Sequence, residues 1–247
     1  MTNKTYSVCT ITENKQIAEE IFDMTIKCGE IADKARPGQF AMLYPKSGAL
    51  LLPRPISICY ADAKTQTLRF VYKIAGKGTH EFSEYKSGDA IRVLAPLGNG
   101  YPIFPAQKKI AIVGGGVGIP PLVYLTEKCL HPANDVHVFL GFRDEPFLLG
   151  DFGGANVDFA VNGKPIDLKA VAEGSFDVVY GCGPKVMLKI LAEQTAKNDV
   201  CCYVSVEERM ACGVGVCVGC VCGKTDGSYK KVCTDGPVFK ACEIFWD

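Results

Sequence analysis

The sequence lacks an excess of charge of either sign. Lys+Arg and Asp+Glu both total 27, so the formal net charge is +0. A protein that binds nucleic acid or an acidic membrane face through its overall charge has a surplus of Lys and Arg. We therefore expect neither nucleic acid nor a membrane among the partners.

The sequence also lacks a segment with the composition of a targeting or membrane-spanning element. Residues 1–16 have neither the apolar core of a signal peptide nor the Arg-rich pattern of a transit peptide. The longest apolar stretch, residues 110–125, contains four glycines and two prolines, and it is shorter than the roughly 20 residues of a membrane-spanning helix. We expect a cytosolic protein in which this stretch belongs to the folded interior.

The chain has thirteen cysteines, which is unusual for a cytosolic protein if they form disulfides, because reducing compartments keep thiols free. Four lie singly in apolar or strand-like surroundings and are expected to be small buried hydrophobes: Cys9, Cys28, Cys59 and Cys129. The others crowd the last third of the chain, and such clustering indicates a metal centre.

Four of the C-terminal cysteines have the spacing of an iron–sulfur site. Cys212, Cys217 and Cys220 form a C-x4-C-x2-C run, and Cys233 follows thirteen positions later. This is the ligand spacing of plant-type [2Fe–2S] ferredoxins. The glycines between these cysteines suit a loop that wraps tightly around a cluster and directs its amides at sulfur.

Two alternatives remain open at this site. Four thiolates also suit tetrahedral zinc, but structural zinc usually takes two C-x-x-C pairs, whereas here three ligands lie in one loop. The spacing therefore favours the cluster over zinc. Cys222, two residues beyond Cys220, is an alternative fourth ligand; we favour Cys233, because ligation by Cys222 would strain the loop.

The order of apolar segments predicts three parts. Residues 1–100 contain short strand-like runs separated by Gly and Pro turns, which predicts an antiparallel β-barrel. Residues 101–205 alternate strand and helix patterns, which predicts an α/β nucleotide-binding domain with a parallel sheet and helices on both faces. Residues 206–247 continue neither pattern, and we expect a small cluster-binding module that is organised by something other than an apolar core.

A glycine-rich turn follows the first strand of the α/β domain. Gly114, Gly115, Gly116 and Gly118 precede a predicted helix start, where backbone amides can approach a pyrophosphate. Ile119 stands where G-x-G-x-x-G has its third glycine, and a plain strand-to-helix turn is the alternative.

Two further strand ends support a dinucleotide site. Residues 180–184, YGCGP, open a second helix, and Cys182 among them is expected to help position a nicotinamide. Residues 143–145, RDE, follow the second strand: a carboxylate there would select NAD, whereas Arg143 would attract the 2′-phosphate of NADP. A solvated loop is the alternative.

In the predicted barrel, two segments suit a second diphosphate. Residues 54–57, RPIS, start a strand, and Arg54 offers a bidentate fork. Residues 71–79, VYKIAGKGT, run from a strand into a predicted helix over 78–85 and offer amides and a hydroxyl. From the residues alone, a surface ion pair and a helix cap explain these segments equally well.

Together these motifs resemble the ferredoxin–NADP⁺ reductase superfamily, whose flavin signature R-x-x-S matches residues 54–57 and whose G-x-G-I-x-P turn matches residues 116–121. Within it, the ordered segments RPIS, VYKIAGKGT, APLGNGY, GGGVGIPPL, GCGP, ExRMxCGxGxCxxC and CxDGPVF are similar to the electron-transfer subunits of type B dihydroorotate dehydrogenases. The likeness spans nearly the whole chain.

The resemblance implies FAD contacts at Arg54, Pro55, Ile56, Ser57, Val71, Tyr72, Lys73, Gly78 and Thr79. It implies ligation of the cluster by Cys212, Cys217, Cys220 and Cys233. Many superfamily members have a tyrosine where Ile56 stands, so no aromatic ring is available there to stack on the flavin.

The resemblance also implies a partner and a function. The partner is an FMN-containing catalytic subunit that oxidises dihydroorotate in pyrimidine biosynthesis, in a heterotetramer of two subunits of each kind. Electrons would pass from FMN through the cluster and FAD to NAD⁺. We expect no catalytic acid or base in this chain, since a flavin alone converts single electrons into a hydride.

Two other functions are compatible with the sequence. One is the electron-transfer subunit of a ferredoxin- or sulfide-linked NAD(P)H oxidoreductase, which uses the same modules with another partner. The other is a zinc-stabilised nucleotide-binding regulator without enzymatic activity.

Overall fold

The first sheet is antiparallel and curls into a barrel. The computed structural model of the chain describes residues 4–48, 50–104, 107–161 and 164–246. The strands of the first sheet are β1 (Thr5–Ala18), β2 (Ile21–Lys27), β3 (Phe40–Tyr44), β4 (Arg54–Ser57), β5 (Tyr60–Asp62), β6 (Thr67–Lys73) and β7 (Ala90–Leu97). They pair in the order β4-β3-β7-β1-β2-β6-β5. The two sides of the sheet meet where the amide of Cys59, just after β4, donates to the carbonyl oxygen of Arg69 on β6 at 2.9 Å.

The side chains of β6 are divided between the core of the barrel and the core shared with the second domain. Leu68, Phe70 and Tyr72 point into the barrel core, whereas Val71 belongs to the core shared with the second domain. Two helices accompany the barrel, α1 (Ile31–Lys34) and α2 (Lys77–Ser83). The predicted barrel is confirmed, and α2 corresponds to the predicted helix, whereas α1 was not predicted. One of the strand-like runs of the sequence, residues 56–60, is split between β4 and β5.

The second domain has the predicted parallel sheet. Its elements are β8 (Lys109–Gly115), α3 (Pro120–Cys129), β9 (Asp135–Gly141), β10 (Asn156–Ala160), α4 (Leu168–Glu173), β11 (Val178–Cys182), α5 (Lys185–Lys197) and β12 (Cys201–Ser205). These strands pair in parallel in the order β10-β9-β8-β11-β12. Helix α3 packs on one face, and α4 and α5 pack on the other. Helix α4 was not predicted.

The C-terminal module packs on both other parts. It contains β13 (Val221–Gly223), β14 (Tyr229–Lys231) and β15 (Val238–Lys240). Strand β15 lies antiparallel to β12 at the edge of the second sheet. Val232, Phe239 and Ile244 share an apolar core with Phe40 and Met42 of the barrel. The expectation that no apolar core organises this module is therefore wrong, because the module shares an apolar core with the barrel.

Burial agrees with several other predictions. The four scattered cysteines are buried: Cys9, Cys28, Cys59 and Cys129. The sequence places the boundary between the first two parts near residues 101–107, of which residues 105 and 106 lie outside the described residues. Across the described ranges, no helix combines the length and the apolar character that crossing a bilayer requires.

Candidate functional site

A cleft of about 930 Å³ opens at the carboxyl ends of β8, β9 and β11. From the second domain it is lined by the glycine turn, by residues 141–145 and by the start of α5; from the barrel it is lined by residues 18–21 and Lys73. The chain leaves β8 toward β9 on one side, and β11 lies on the other side of β8. Parallel sheets bind nucleotides at such a switch point, beyond the strand ends.

The turns after β8 and β11 touch at the floor of the cleft, because glycines stand at the points of contact. A Cβ on Gly118 would lie 2.5 Å from the carbonyl carbon and oxygen of Cys182. A Cβ on Gly115 would lie 2.9 Å from Pro184. Gly116 has φ +53 and open space around it, so its conformation, not its neighbours, favours glycine.

The other predicted glycine has a different task. Gly114 does not line the cleft; a Cβ there would come within 2.9 Å of Ile119 and Leu122. It therefore allows α3 to pack closely on β8. The glycine run serves helix packing at its first position and the cleft surface at the later ones.

Cys182 lies beneath the cleft surface and not on it. Its side chain is buried, and it is absent from the lining residues. Burial raises the pKa of this thiol, the charge of Glu207 raises it further, and a hydrogen bond to Ser205 opposes the shift. The structure thus brings the backbone of Cys182 to the glycine turn but does not bring its thiol to the cleft.

Charged side chains line the cleft. Arg143, Asp144 and Glu145 are among them, and all three are exposed. Glu207 and Lys164 also line it, and sequence reasoning missed both. Although Glu207 keeps contact with solvent, burial of its carboxyl raises the pKa. The available signal was its position just after β12, a parallel strand whose carboxyl end faces the same edge.

The barrel brings two predicted flavin contacts together. The Arg54 guanidinium lies on the first turn of α2, where a Cβ on Gly78 would come within 2.4 Å of Nε. Thr79 turns back on the preceding loop: its Oγ1 accepts hydrogen bonds from the amides of Ala75 at 2.9 Å and Gly76 at 3.2 Å. Arg54 also donates from Nη1 to the carbonyl oxygen of Leu52 at 2.5 Å, whereas Thr79 shapes the loop.

The remaining flavin predictions differ in what they can offer. Pro55, Ile56 and Ser57 are half-buried along β4.

The hydroxyl of Tyr72 on β6 donates to Asn14 Oδ1 at 3.2 Å inside the barrel, and burial raises the pKa of that hydroxyl. Val71 faces the second domain, and Lys73 pairs with Glu20 at 3.3 Å on the rim of the cleft. Tyr72 can therefore reach a flavin only through its main chain.

The C-terminal loop directs amides at sulfur. The N–H groups of Val214 and Cys217 point at Cys212 Sγ, at 3.5 and 3.4 Å. Burial alone would raise the pKa of Cys212, but these amides outweigh it and lower that pKa to about 6. Gly213 and Gly215 have φ +69 and +84, which explains why glycine stands at these positions.

The four predicted thiol ligands lie as two neighbouring pairs. Cys212 contacts Cys217, and Cys233 is hydrogen-bonded to Cys220. Burial and Cys220 together raise the pKa of Cys233 to about 12. Four thiols in two pairs, with amides aimed at sulfur, fit a binuclear iron–sulfur cluster.

Cys222 belongs to neither of these pairs. It is on β13, and its side chain packs into the apolar core beneath the loop, which it shares with Cys220 and Cys233. Burial raises the pKa of its thiol.

A charged bridge joins the two larger domains. Arg69 on β6 donates from Nε to both carboxylate oxygens of Asp23, at 3.0 and 3.1 Å, and also to Asp151 of the second domain. The side chain of Asp23 is only 5% exposed, so this carboxylate depends on Arg69 for its charge partner.

Comparisons with known proteins extend these observations. Residues 207–245 match the family described as the iron–sulfur cluster binding domain of dihydroorotate dehydrogenase B. The electron transfer subunit of dihydroorotate dehydrogenase B (NAD(+)) from Caldanaerobacter subterraneus subsp. tengcongensis is 40% identical over 247 residues, covering 96% of this chain and 97% of that protein. Its namesake from Geobacillus kaustophilus is 37% identical, covering 95% and 96%.

Solved structures show the same fold. A chain from the NADH-dependent reduced ferredoxin–NADP oxidoreductase superposes with a TM-score of 0.86 at 28% identity, covering 98% of this chain and 91% of that one. The ferredoxin reductase of carbazole 1,9a-dioxygenase superposes with a TM-score of 0.65 at 15% identity, covering 80% and 67%.

Proposed function

The chain belongs to the family of dihydroorotate dehydrogenase B (NAD⁺) electron transfer subunits, and from that membership we propose that it carries electrons between a dihydroorotate-oxidising partner and NAD⁺. The observation that carries the proposal is the presence, in one chain, of a nucleotide cleft, a barrel site and two pairs of thiols. It acts as a flavin- and iron–sulfur-dependent oxidoreductase subunit in pyrimidine biosynthesis.

The cofactors are FAD, a [2Fe–2S] cluster and NAD. When bound, FAD exchanges a hydride with the nicotinamide and single electrons with the cluster, which connects it to FMN in the partner. The task of this chain is to bind and orient these groups. We assign the diphosphate of FAD to Arg54 and the first turn of α2, with β4 and the end of β6 beside the ring.

We assign the dinucleotide to the cleft. Gly115, Gly116 and Gly118 form the surface that a pyrophosphate can approach, because no Cβ intervenes there. The carboxylates of Asp144 and Glu145 would accept hydrogen bonds from a ribose and repel a 2′-phosphate, which favours NAD over NADP. Gly114 and the thiol of Cys182 act from behind this surface.

We assign the cluster to Cys212, Cys217, Cys220 and Cys233. The pairing of the thiols supports this assignment, since two irons with two thiolates each need two pairs of sulfurs. Cys222 belongs to neither pair, whereas Cys233 is hydrogen-bonded to Cys220. Zinc in place of iron in the purified protein would favour the alternative function, a zinc-stabilised nucleotide-binding regulator.

The partner would dock on the outer face of the cluster loop. Val216 and Val218 are 79% and 56% exposed, and Tyr6 at 56% contacts the ring of Tyr44 beside this loop. Exposed apolar side chains grouped in this way are typical of protein interfaces. We propose the FMN-containing catalytic subunit as the occupant, in a heterotetramer of two subunits of each kind.

A charge placed on this face tests the docking. We expect Val216→Glu to weaken binding of the FMN subunit by about tenfold or more, since a carboxylate would lose its hydration in the contact. The matched control is Phe159→Glu, because Phe159 is 53% exposed on β10 at the far edge of the second sheet. Equal loss of binding in both variants, or none in Val216→Glu, would refute the docking face. Light scattering of the complex would give its stoichiometry.

Reconstitution tests the function itself. Mixed with an FMN-containing dihydroorotate-oxidising subunit, the holo chain should restore dihydroorotate-dependent reduction of NAD⁺. The likeness to the NADH-dependent ferredoxin–NADP oxidoreductase chain supports a second candidate, a subunit of a ferredoxin- or sulfide-linked NAD(P)H oxidoreductase. Reduction of ferredoxin by NADH without any response to the FMN subunit would favour that second candidate.

The state of the cysteines supports a reducing compartment. In the described residues none of the thirteen cysteines is joined to another by a disulfide, which is the usual state of cysteines in the cytosol. We therefore infer that the protein acts in the cytoplasm.

A further inference from the structure

The segment between the barrel and the second domain contacts every part of the molecule. Leu97, at the end of β7, is buried against the cluster loop, 3.2 Å from where a Cβ of Gly213 would lie. Four residues later, the hydroxyl of Tyr101 donates to the carbonyl oxygen of Gly181 on β11 at 3.0 Å. This segment belongs to the APLGNGY motif. The motif contributes no residue to the proposed nucleotide sites or to the thiol pairs, so its role is not yet explained.

Asn99 uses its whole side-chain amide within this segment. Nδ2 donates to the carbonyl oxygens of Asp235 at 3.1 Å and Val238 at 2.7 Å, and Oδ1 accepts from the amide of Val238 at 2.9 Å. The backbone amide of Asn99 also donates to the carbonyl oxygen of Gly236 at 2.6 Å. Only a side chain that donates and accepts at once can make this set of bonds.

These contacts are long-range. A turn asparagine usually bonds to backbone groups within a few residues of itself, whereas the partners of Asn99 are 136 and 139 residues away. The two loops also approach closely, since a Cβ on Gly98 would lie 2.7 Å from the carbonyl oxygen of Gly236. The side chain of Asn99 therefore joins two loops and does not shape its own turn.

The loop that Asn99 holds is the one that follows Cys233. On the other side of Cys233, the amide of Val232 donates to the carbonyl oxygen of Cys220 at 2.8 Å. Cys233 thus lies between two anchors, one within the cluster module and one on the barrel. The barrel anchor is the Asn99 clamp.

We propose that Asn99 is a positioning residue for the cluster. It fixes the loop that carries Cys233 against the barrel, and so sets where this thiolate stands relative to the other three. The inference rests on the proposed ligation by Cys233. It assigns to Asn99 no contact with the cluster and no role in flavin or dinucleotide binding.

The test compares holo variants of the full chain under anaerobic conditions. Asn99→Ala removes the clamp, and Asn99→Asp keeps the acceptor for Val238 but replaces the donor. The matched control is Asn134→Ala: this half-buried asparagine likewise joins two segments, donating to the carbonyl oxygen of Cys129 at 2.9 Å and accepting from the amide of Lys108 at 3.0 Å, far from the cluster.

We expect both Asn99 variants to lose cluster absorbance to an iron chelator about tenfold faster than wild type or more, since several hydrogen bonds are lost together. The electron paramagnetic resonance spectrum of the reduced cluster should also change in them. FAD content and the rate of flavin reduction by NADH should stay at wild-type values, and Asn134→Ala should match wild type throughout.

Wild-type chelation rates and spectra in both Asn99 variants would overturn the inference, as would equally fast loss in Asn134→Ala. If Asn99→Ala does not fold, the rate in Asn99→Asp decides. Failure of the proposed ligation would look different, because wild-type protein would then contain no iron and labile sulfide. Failure of the proposed function would show in wild-type protein as a missing response to the FMN subunit, whatever the chelation rates of the Asn99 variants.

Discussion

Adding one methyl group to Gly118 should damage dinucleotide binding selectively. The new Cβ would lie 2.5 Å from the backbone of Cys182 and also 2.5 Å from the amide nitrogen of Gly183. Because the obstacle is main chain at the end of a buried strand, no side-chain rotation can relieve it. The turn after β8 and the turn after β11 must then separate, and both of them line the cleft.

The cost of Gly118→Ala follows from overpacking. Forcing an extra carbon into a packed site costs about 1 to 3 kcal/mol. If the dinucleotide-bound form needs the two turns in contact, the Kd for NAD⁺ should rise by about five- to 150-fold. Calorimetric titration of the FAD-loaded chain with NAD⁺ measures this directly.

Two other glycines serve as comparisons. A Cβ on Gly116 would meet no protein atom within 4 Å, but φ is +53, so alanine there costs roughly 1 to 2 kcal/mol of strain and also places a Cβ on the surface that the pyrophosphate approaches. Gly150 has open space and no positive φ, so Gly150→Ala should bind NAD⁺ like wild type. A wild-type Kd in Gly118→Ala would refute the close contact of the two turns.

Two further results should follow from charge and burial. Arg69→Gln should lower the free energy of unfolding by about 3 kcal/mol in urea titrations, because it leaves Asp23 buried without its charge partner. The control Asp151→Asn leaves the pair of Arg69 and Asp23 intact and should lower the free energy of unfolding by about 1 kcal/mol or less. Equal losses in the two variants would contradict the prediction. Alkylation of the native holo protein at pH 8 should label the exposed Cys201 and Cys242. It should spare Cys28, Cys129 and Cys202, because burial raises the pKa of each thiol to about 12 and they stay protonated at that pH. Rapid labelling of these three cysteines would contradict the prediction.

Local patterns were sufficient for the parts of the molecule whose structure is local. The run of apolar residues before Gly114 predicts a buried parallel strand, and β8 is one. The spacing of Cys212, Cys217 and Cys220 predicts a loop that wraps around a metal centre, and amides of that loop do point at sulfur.

Long-range packing explains what the sequence could not predict. Phe239 shows no periodicity because its neighbours, such as Phe40, lie on the barrel some two hundred positions earlier. The residues 18–21 that line the cleft come from a β-turn whose sequence carries no nucleotide signal. Cys182 was correctly predicted at a strand end, but a strand end does not reveal on which side of the sheet a side chain lies.

One measurement tests the central claim that a hydride carrier and a one-electron centre work in the same polypeptide. Freshly purified anaerobic protein is titrated with NADH while flavin absorbance and electron paramagnetic resonance are followed, with iron and labile sulfide determined on the same sample. We predict equal amounts of iron and sulfide, bleaching of the flavin, and the signal of a reduced [2Fe–2S] cluster. Stoichiometric zinc, or a flavin that bleaches while the cluster signal never develops at any NADH concentration, would contradict the account.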